Sequence, residues 1–355
     1  MKLNAFSIYK GNLLESVPIR KKPPMQNLRG YNGYDRDADL CNDGLIAKWY
    51  TKLKSKYVLY KAKKILRANL KKDTPVSKAE KEELIKELFP SGFQNIKLTQ
   101  SNNIGNCYLI ASLQALIDKT SDKFSPEDFF SSVIRKQKDG TFKVTFPGQK
   151  EFPIKVTKEE AEFGQVSPRE NAREITYEHI KPMDADIGFQ IIERAYGRLR
   201  RQLEIFESLS QIPKSKMEDT LVLINGGSGF EALQNLTGWQ PVHIRNTPNM
   251  CRSFDEFAKN PERYALTAGT FYGESSPLIF DVIHNSDGDK IVFMDEAREI
   301  IAGHVYTIKS INHDKKEVSI TDPYIPSKEI IVSYNNVFNY FLCITGVKVP
   351  KKSAF

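Results

Sequence analysis

Residues 302–326 read AGHVYTIKSINHDKKEVSITDPYIP. Two runs rich in β-branched residues, HVYTIKSIN and KEVSITDPYI, flank the polar stretch NHDKK (312–316), which is the pattern of a β-hairpin. In an antiparallel pair the start of the first strand lies beside the end of the second. His304 follows Gly303 and begins the first strand; Asp322 ends the second, directly before Pro323. The hairpin therefore predicts an imidazole and a carboxylate held side by side. His313 belongs to the connecting turn, and His179, His243 and His284 read as turn or surface residues.

A base oriented by an acid needs a nucleophile. The stretch SNNIGNCYLIASLQAL (101–116) offers Cys107. Free cysteine is often a small buried hydrophobe, and that bland reading competes. The context argues for reactivity. Gly105 permits a tight turn, and the apolar positions 109, 110, 113 and 116 make a buried helix that starts near Cys107. There the unsatisfied N–H groups and the helix dipole favour thiolate over thiol.

The pattern around these stretches is α+β. From about 95 to 220 it is mainly helical. In ADIGFQIIERAYGRLRRQLEIF the residues Ile187, Ile191, Ala195 and Leu199 form one stripe, and a strand-like insert, TFKVTFPGQKEFPIKV (141–156), interrupts the helical half. From about 221 strands take over: TLVLI, YALTAGTF, the hairpin and KEIIVSY. Upstream, SKAEKEELIKELFPSG (77–92) opens with Ser77 and Glu80 at capping-box spacing, and Pro90 and Gly92 stop it.

The chain has 355 residues with a formal net charge of +8 and 40% hydrophobic residues. Residues 1–80 hold 18 Lys and Arg against 7 Asp and Glu, so the basic excess sits there. Residues 1–43 read as a polar arm. Residues 45–70 read as a basic amphipathic helix with Ile46, Trp49, Leu53, Tyr57 and Tyr60 on its apolar face. Such a helix docks on its own protein, meets an anionic membrane or nucleic-acid surface, or serves as an autoinhibitory or targeting segment. DRDADL (35–40) opens like a calcium loop, but Leu40 stands where the turn glycine belongs and Ile46 where the bidentate Glu belongs. No apolar run reaches the roughly 18 residues of a membrane span, and no standard secretory signal is expected. The four cysteines include no C-x-x-C, so no zinc site is expected and a reducing compartment is the simplest setting.

In several ordered blocks the sequence resembles the calpain family of papain-like cysteine proteases. IGNCYLIASLQAL resembles that family's G-D-C-W-L-L-A-A nucleophile motif. AGHVYTIKSI resembles its G-H-A-Y-S-V motif, and ITDPYIP its N-P-W-G motif. IIERAYGRL, GGSGFEALQNLTGW and IIVSYNNVFNYFLCITG resemble further blocks in the same order, so that the resemblance covers about residues 95–346.

The resemblance implies a two-lobed papain-like core behind a basic N-terminal extension (1–90). One lobe would be helical and carry the nucleophile (91–225), the other β-rich and carry His and Asp (226–355). By motif Cys107 is the nucleophile, His304 the general base and acid, and Asp322 the orienting residue. Gln100 is the implied oxyanion donor with the Cys107 N–H, although it lies seven residues before the cysteine where the family has six. Gly226, Gly227 and Gly303 match glycines that let an extended substrate backbone approach. Asn106 replaces the family's Asp, Tyr108 and Tyr324 replace Trp, and Asp322 replaces Asn.

The implied function is an intracellular thiol endopeptidase acting on protein substrates, cytoplasmic or exported without a classical signal. The alternatives are a non-catalytic binding or regulatory module and a thiol transamidase. No cofactor or metal ligand is assigned, calcium dependence stays open, and no nucleic-acid partner is expected. An anionic surface remains a candidate partner for the basic segment.

Overall fold

A computed structural model of the chain describes residues 77–350, apart from positions 95, 102–103, 120–123, 164, 172–173, 209–223, 225, 246–249, 272–279, 286–287 and 296–297. The arm, the loop at 35–40, the basic helix at 45–70 and most of TLVLI lie outside the described residues.

Helix α1 (Lys78–Leu88) starts as its sequence predicts. The Ser77 side chain accepts from the Glu80 N–H, and the Glu80 carboxylate accepts from the Ser77 N–H at 2.8 Å. Phe89 caps its end. The residues that would place α1 in an N-terminal extension instead place it in the core. Leu84, Leu88 and Phe89 are buried there, and Phe89 meets the rings of Phe93 and Phe189 at 4.8 and 4.9 Å. The apolar face of α1 is therefore part of the same cluster as α2 and α5. Each such side chain contributes about 1.5–3 kcal/mol on burial, against a total stability of roughly 5–15 kcal/mol. A chain starting at Ser77 is expected to unfold cooperatively in urea. One starting at Ser91 is expected to be insoluble or to lack a transition, and equal midpoints for the two would refute this.

Helix α2 (Cys107–Ile117) is buried at every position. It is followed by α3 (Pro126–Val133), a three-stranded antiparallel sheet of β1 (Ile134–Lys136), β2 (Phe142–Val144) and β3 (Ile154–Val156), and the short α4 (Lys158–Glu162). β2 and β3 are the strand-like insert. A further hairpin, β4 (Gln165–Asn171) and β5 (Glu174–Ile180), then precedes α5 (Ile187–Ser208). The half expected to be mainly helical thus carries five strands. Helix α5 buries Ile191, Ala195 and Leu199 as its stripe requires.

Then come α6 (Gly229–Thr237), β6 (Pro241–Arg245), α7 (Met250–Lys259), β7 (Tyr264–Thr270), β8 (Phe280–Asn285), β9 (Gly288–Asp295), β10 (Arg298–Ile301), β11 (Val305–Asn312), β12 (Glu317–Asp322), β13 (Ile325–Ser333), α8 (Tyr334–Tyr340) and β14 (Phe341–Lys348). Six of these strands form an antiparallel sheet in the order β13-β12-β11-β7-β14-β6. The chain is a mixed α+β protein.

Strand alternation splits the apolar residues of this sheet between two clusters. Tyr264, Leu266 and Ala268 of β7, with Tyr306 and Ile308 of β11, face one cluster with α7 and α8. Ala265 and Val305 face the other, which holds α1, α2 and α5. On that face the Thr307 hydroxyl donates to the Ala111 carbonyl of α2 at 3.1 Å, so α2 and the hairpin are pinned together.

Candidate active site

The hairpin of β11 and β12 has the expected pairing. Thr307 faces Thr321 and Asn312 faces Glu317, with Lys316 at φ 55 closing the turn. A one-residue irregularity lies between Ile308 and Ser310. At the open end of this ladder the His304 Nε2 lies 2.9 Å from Asp322 Oδ1. The same oxygen accepts the Tyr324 N–H at 2.8 Å. His304 is 5% exposed and Asp322 8%. Before His304 the backbone turns at Gly303, whose φ of 64 suits glycine. The Thr270 hydroxyl accepts the His304 N–H, and the Thr270 N–H donates to the His304 carbonyl. The ring is thus fixed from behind, and the Tyr324 ring stacks on it at 5.3 Å and 6°.

Cys107 is a free thiol at the first position of α2. It lies close enough to His304 for its charge to act on the imidazole. Because Nε2 is taken by Asp322, Nδ1 is the ring nitrogen left for sulfur. Burial pulls the His304 imidazolium down, but the negative sulfur of Cys107 and the Asp322 carboxylate outweigh it and push the group up to about 10. Burial, with the Cys107 and Asp322 charges, pushes the Tyr324 phenol up to about 12. Tyr324 therefore stays neutral beside the pair.

Asn106 is the N-cap of α2, yet its side chain makes no capping bond. Its carbonyl accepts from Leu109 and Ile110 at 2.9 and 3.1 Å. Its amide turns inward to the buried Glu193 of α5. The start of the helix is therefore shaped by a residue that sequence reading counted only as part of a helical block.

Gln100 is 4% exposed and reaches the same neighbourhood through its N–H bond to the Pro323 carbonyl at 2.8 Å. Its amide nitrogen donates to the Ile104 carbonyl at 2.5 Å and to the Tyr324 hydroxyl at 3.2 Å. Both amide protons are thereby engaged within the protein. The longer loop between Gln100 and Cys107 supplies the Ile104 carbonyl that takes one of them.

The glycines divide. Gly226 is at φ 79, its N–H donates to Gly105 O at 2.8 Å, and its carbonyl accepts from Arg200 at 2.7 Å. The Gly303 N–H donates to Phe271 O. These bonds leave Gly227 as the member of the pair whose backbone they do not use. A Cβ on Gly227 would sit 2.4 Å from the Tyr108 ring. Arg200 also donates to the Tyr108 hydroxyl at 3.0 Å and pairs with Glu231 at 3.2 Å. Sequence reading missed this clamp, since RLRRQ looks like a solvated helix face. The only available clue was that Arg200 follows Leu199 at the edge of the apolar stripe.

His243 sits within β6, not in a turn, with Nδ1 2.8 Å from the Thr345 hydroxyl. His313 lies in the β11–β12 turn as expected. A cavity of about 750 Å³ lies at the other end of α2, lined in part by Gln114, Asp118 and Lys309, and contains none of Cys107, His304 and Asp322. Among the described residues no three His, Cys, Asp or Glu side chains gather as a metal site, and no helix is long and apolar enough to cross a membrane. No protein-family model matches the chain, and no curated protein matches it.

Proposed function

We propose that the chain is a calpain-like cysteine endopeptidase that cleaves extended segments of other proteins through a Cys107–His304–Asp322 triad. The observation that carries this reading is the buried relay in which Cys107 meets His304 and His304 Nε2 meets Asp322 at 2.9 Å. A nucleophile, a base and an orienting acceptor in series are what acyl transfer needs. The proposal includes a papain-like division into two lobes with the cleft between them. It is supported by the two apolar clusters, one around α2 and α5 and the other behind the six-stranded sheet.

In the proposed reaction the Cys107 thiolate attacks the scissile carbonyl, and the carbonyl electron pair moves onto oxygen. That oxyanion takes N–H donors at the start of α2, and one proton of the Gln100 amide in place of the Tyr324 hydroxyl, its longer contact at 3.2 Å. Collapse breaks the C–N bond, the leaving amine takes the proton from the His304 imidazolium, and a thioester remains. His304 then removes a proton from water, the hydroxide attacks the thioester, and the acid product leaves with the thiolate restored. Gly227, backed by Tyr108, offers backbone to an extended peptide.

The engagement of Gln100 by Ile104 favours a second reading, a module that binds peptides without turnover. Labelling separates the first reading from an inert thiol. A peptidyl epoxysuccinate is expected to add once, at Cys107, and to block casein cleavage. Absence of the adduct, with and without calcium, would overturn the proposal, and an adduct without cleavage would favour the module.

A further inference from the structure

Behind the nucleophile, and outside the triad, lies the most deeply buried carboxyl group near the site. Glu193 is 0% exposed, as is Asn106. One Glu193 oxygen lies 2.5 Å from the Asn106 side-chain nitrogen, and the other accepts the Met183 N–H at 2.9 Å. The Asn106 side-chain oxygen, Oδ1, is buried with no hydrogen-bond partner among the described residues. An unpaired buried acceptor is costly, and it sits one residue from the proposed nucleophile.

The two atoms of an Asn amide exchange places by a half-turn of the side chain. A separation of 2.5 Å is below the N–H···O range and at the short edge of the O–H···O range. With Glu193 ionised, Asn106 donates an N–H to the carboxylate. With Glu193 protonated, the turned amide presents its oxygen, which accepts the carboxylic O–H and is no longer an orphan. Each form keeps the Glu193–Asn106 bond and leaves the other amide atom without a partner among the described residues, and the two differ in which way the N-cap side chain of α2 faces.

We propose that Glu193 is a positioning residue for Cys107: through Asn106 it sets the start of α2, and its protonation switches that start between two arrangements. The inference rests on the reading of Cys107 as a nucleophile.

Burial pushes Glu193 up to about 7, against the opposing Met183 N–H, the Arg194 guanidinium and Asn106. Arg194, from the same helix, is the charged group that acts on it; the segment before α5 contributes the Met183 N–H and α2 the neutral Asn106 amide. His304 keeps its proton to about 10 and so does not titrate in this window.

The test is the rate at which iodoacetamide alkylates Cys107 in the full chain between pH 5.5 and 9. The wild type is expected to show an inflection near pH 7, with the rate one unit below it about tenfold under the alkaline plateau, as for a single titrating group. Glu193→Gln is expected to remove the inflection. Asn106→Asp, which sets a second carboxyl against Glu193, is expected to move it upward. A wild-type profile without an inflection between pH 6 and 8 would overturn the inference. So would the same inflection in Glu193→Gln, which would assign it to the thiol itself. If Glu193→Gln does not fold, an unmoved inflection in Asn106→Asp decides against it. Casein cleavage is scored in parallel. Cleavage with a profile indifferent to Glu193 refutes the positioning role alone, while the expected profile without cleavage refutes the proteolytic reading alone.

Discussion

Cys107→Ser is expected to lower kcat/KM on unfolded casein by about 10⁴-fold or more, equivalent to roughly 5.5 kcal/mol of transition-state stabilisation. The change is nearly isosteric, and the side chain occupies the first turn of a helix whose remaining positions are all buried. The fold should be kept, with an unfolding midpoint close to wild type. The chemistry should not be kept. A hydroxyl is far harder to ionise than a thiol, and without the sulfur His304 loses the largest of the influences that raise it, so it is a weaker base toward that hydroxyl. Residual cleavage within tenfold of wild type, after exclusion of contaminating protease by gel filtration, would show that Cys107 is not the nucleophile.

Asp322→Ala is expected to cut kcat/KM by about 10⁴-fold, as loss of the orienting carboxylate does in the Ser-His-Asp triad, and to move the alkaline limb of the pH profile. His304 is raised above its ordinary value, so its imidazolium is present below about pH 10 and lost as pH rises through it. Without the carboxylate, burial acts against a single negative partner and the limb should fall toward neutrality. Asp322→Asn keeps a hydrogen-bond acceptor without the charge, and should give a smaller downward move with a smaller loss. The stability that the raised imidazolium contributes is complete below about pH 6.5 and disappears toward pH 10. The alanine variant should therefore lose less stability than wild type over that interval. Profiles of kcat/KM and urea midpoints, taken together, check both statements. An alkaline limb that stays in place in both variants would show that Asp322 does not hold the His304 proton.

The parts of this arrangement that were legible in the sequence are those fixed by local rules. Strand period and a five-residue turn put His304 opposite the end of β12, and a glycine before an apolar run put Cys107 at a helix start. The capping box at Ser77 and the stripe of α5 were legible for the same reason. What stayed hidden depends on contacts distant along the chain. QVSPREN does not alternate apolar with polar and Pro168 argues against a strand, so β4 gave no signal, and the brief alternation Ile175-Thr176-Tyr177-Glu178 in β5 had no visible partner. The amphipathic face of α1 was visible, but its partner Phe189 lies a hundred residues away in sequence. Gln100 was found by spacing, whereas the destination of its amide protons was decided by the Ile104 carbonyl inside the loop. Glu193 looked like one polar residue in a helix until its partner proved to be the residue before the cysteine.

The Arg200 clamp also bears on where affinity comes from. It ties the carbonyl of Gly226, the hydroxyl of Tyr108 and the carboxylate of Glu231 into one cluster. In the proposed endopeptidase one wall of the cleft would thus give up its conformational freedom when the chain folds, and a peptide lying along Gly227 would not have to supply that ordering itself. Extended substrates of unrelated sequence would then bind through their backbones at similar cost, with selectivity left to the walls that the clamp does not reach.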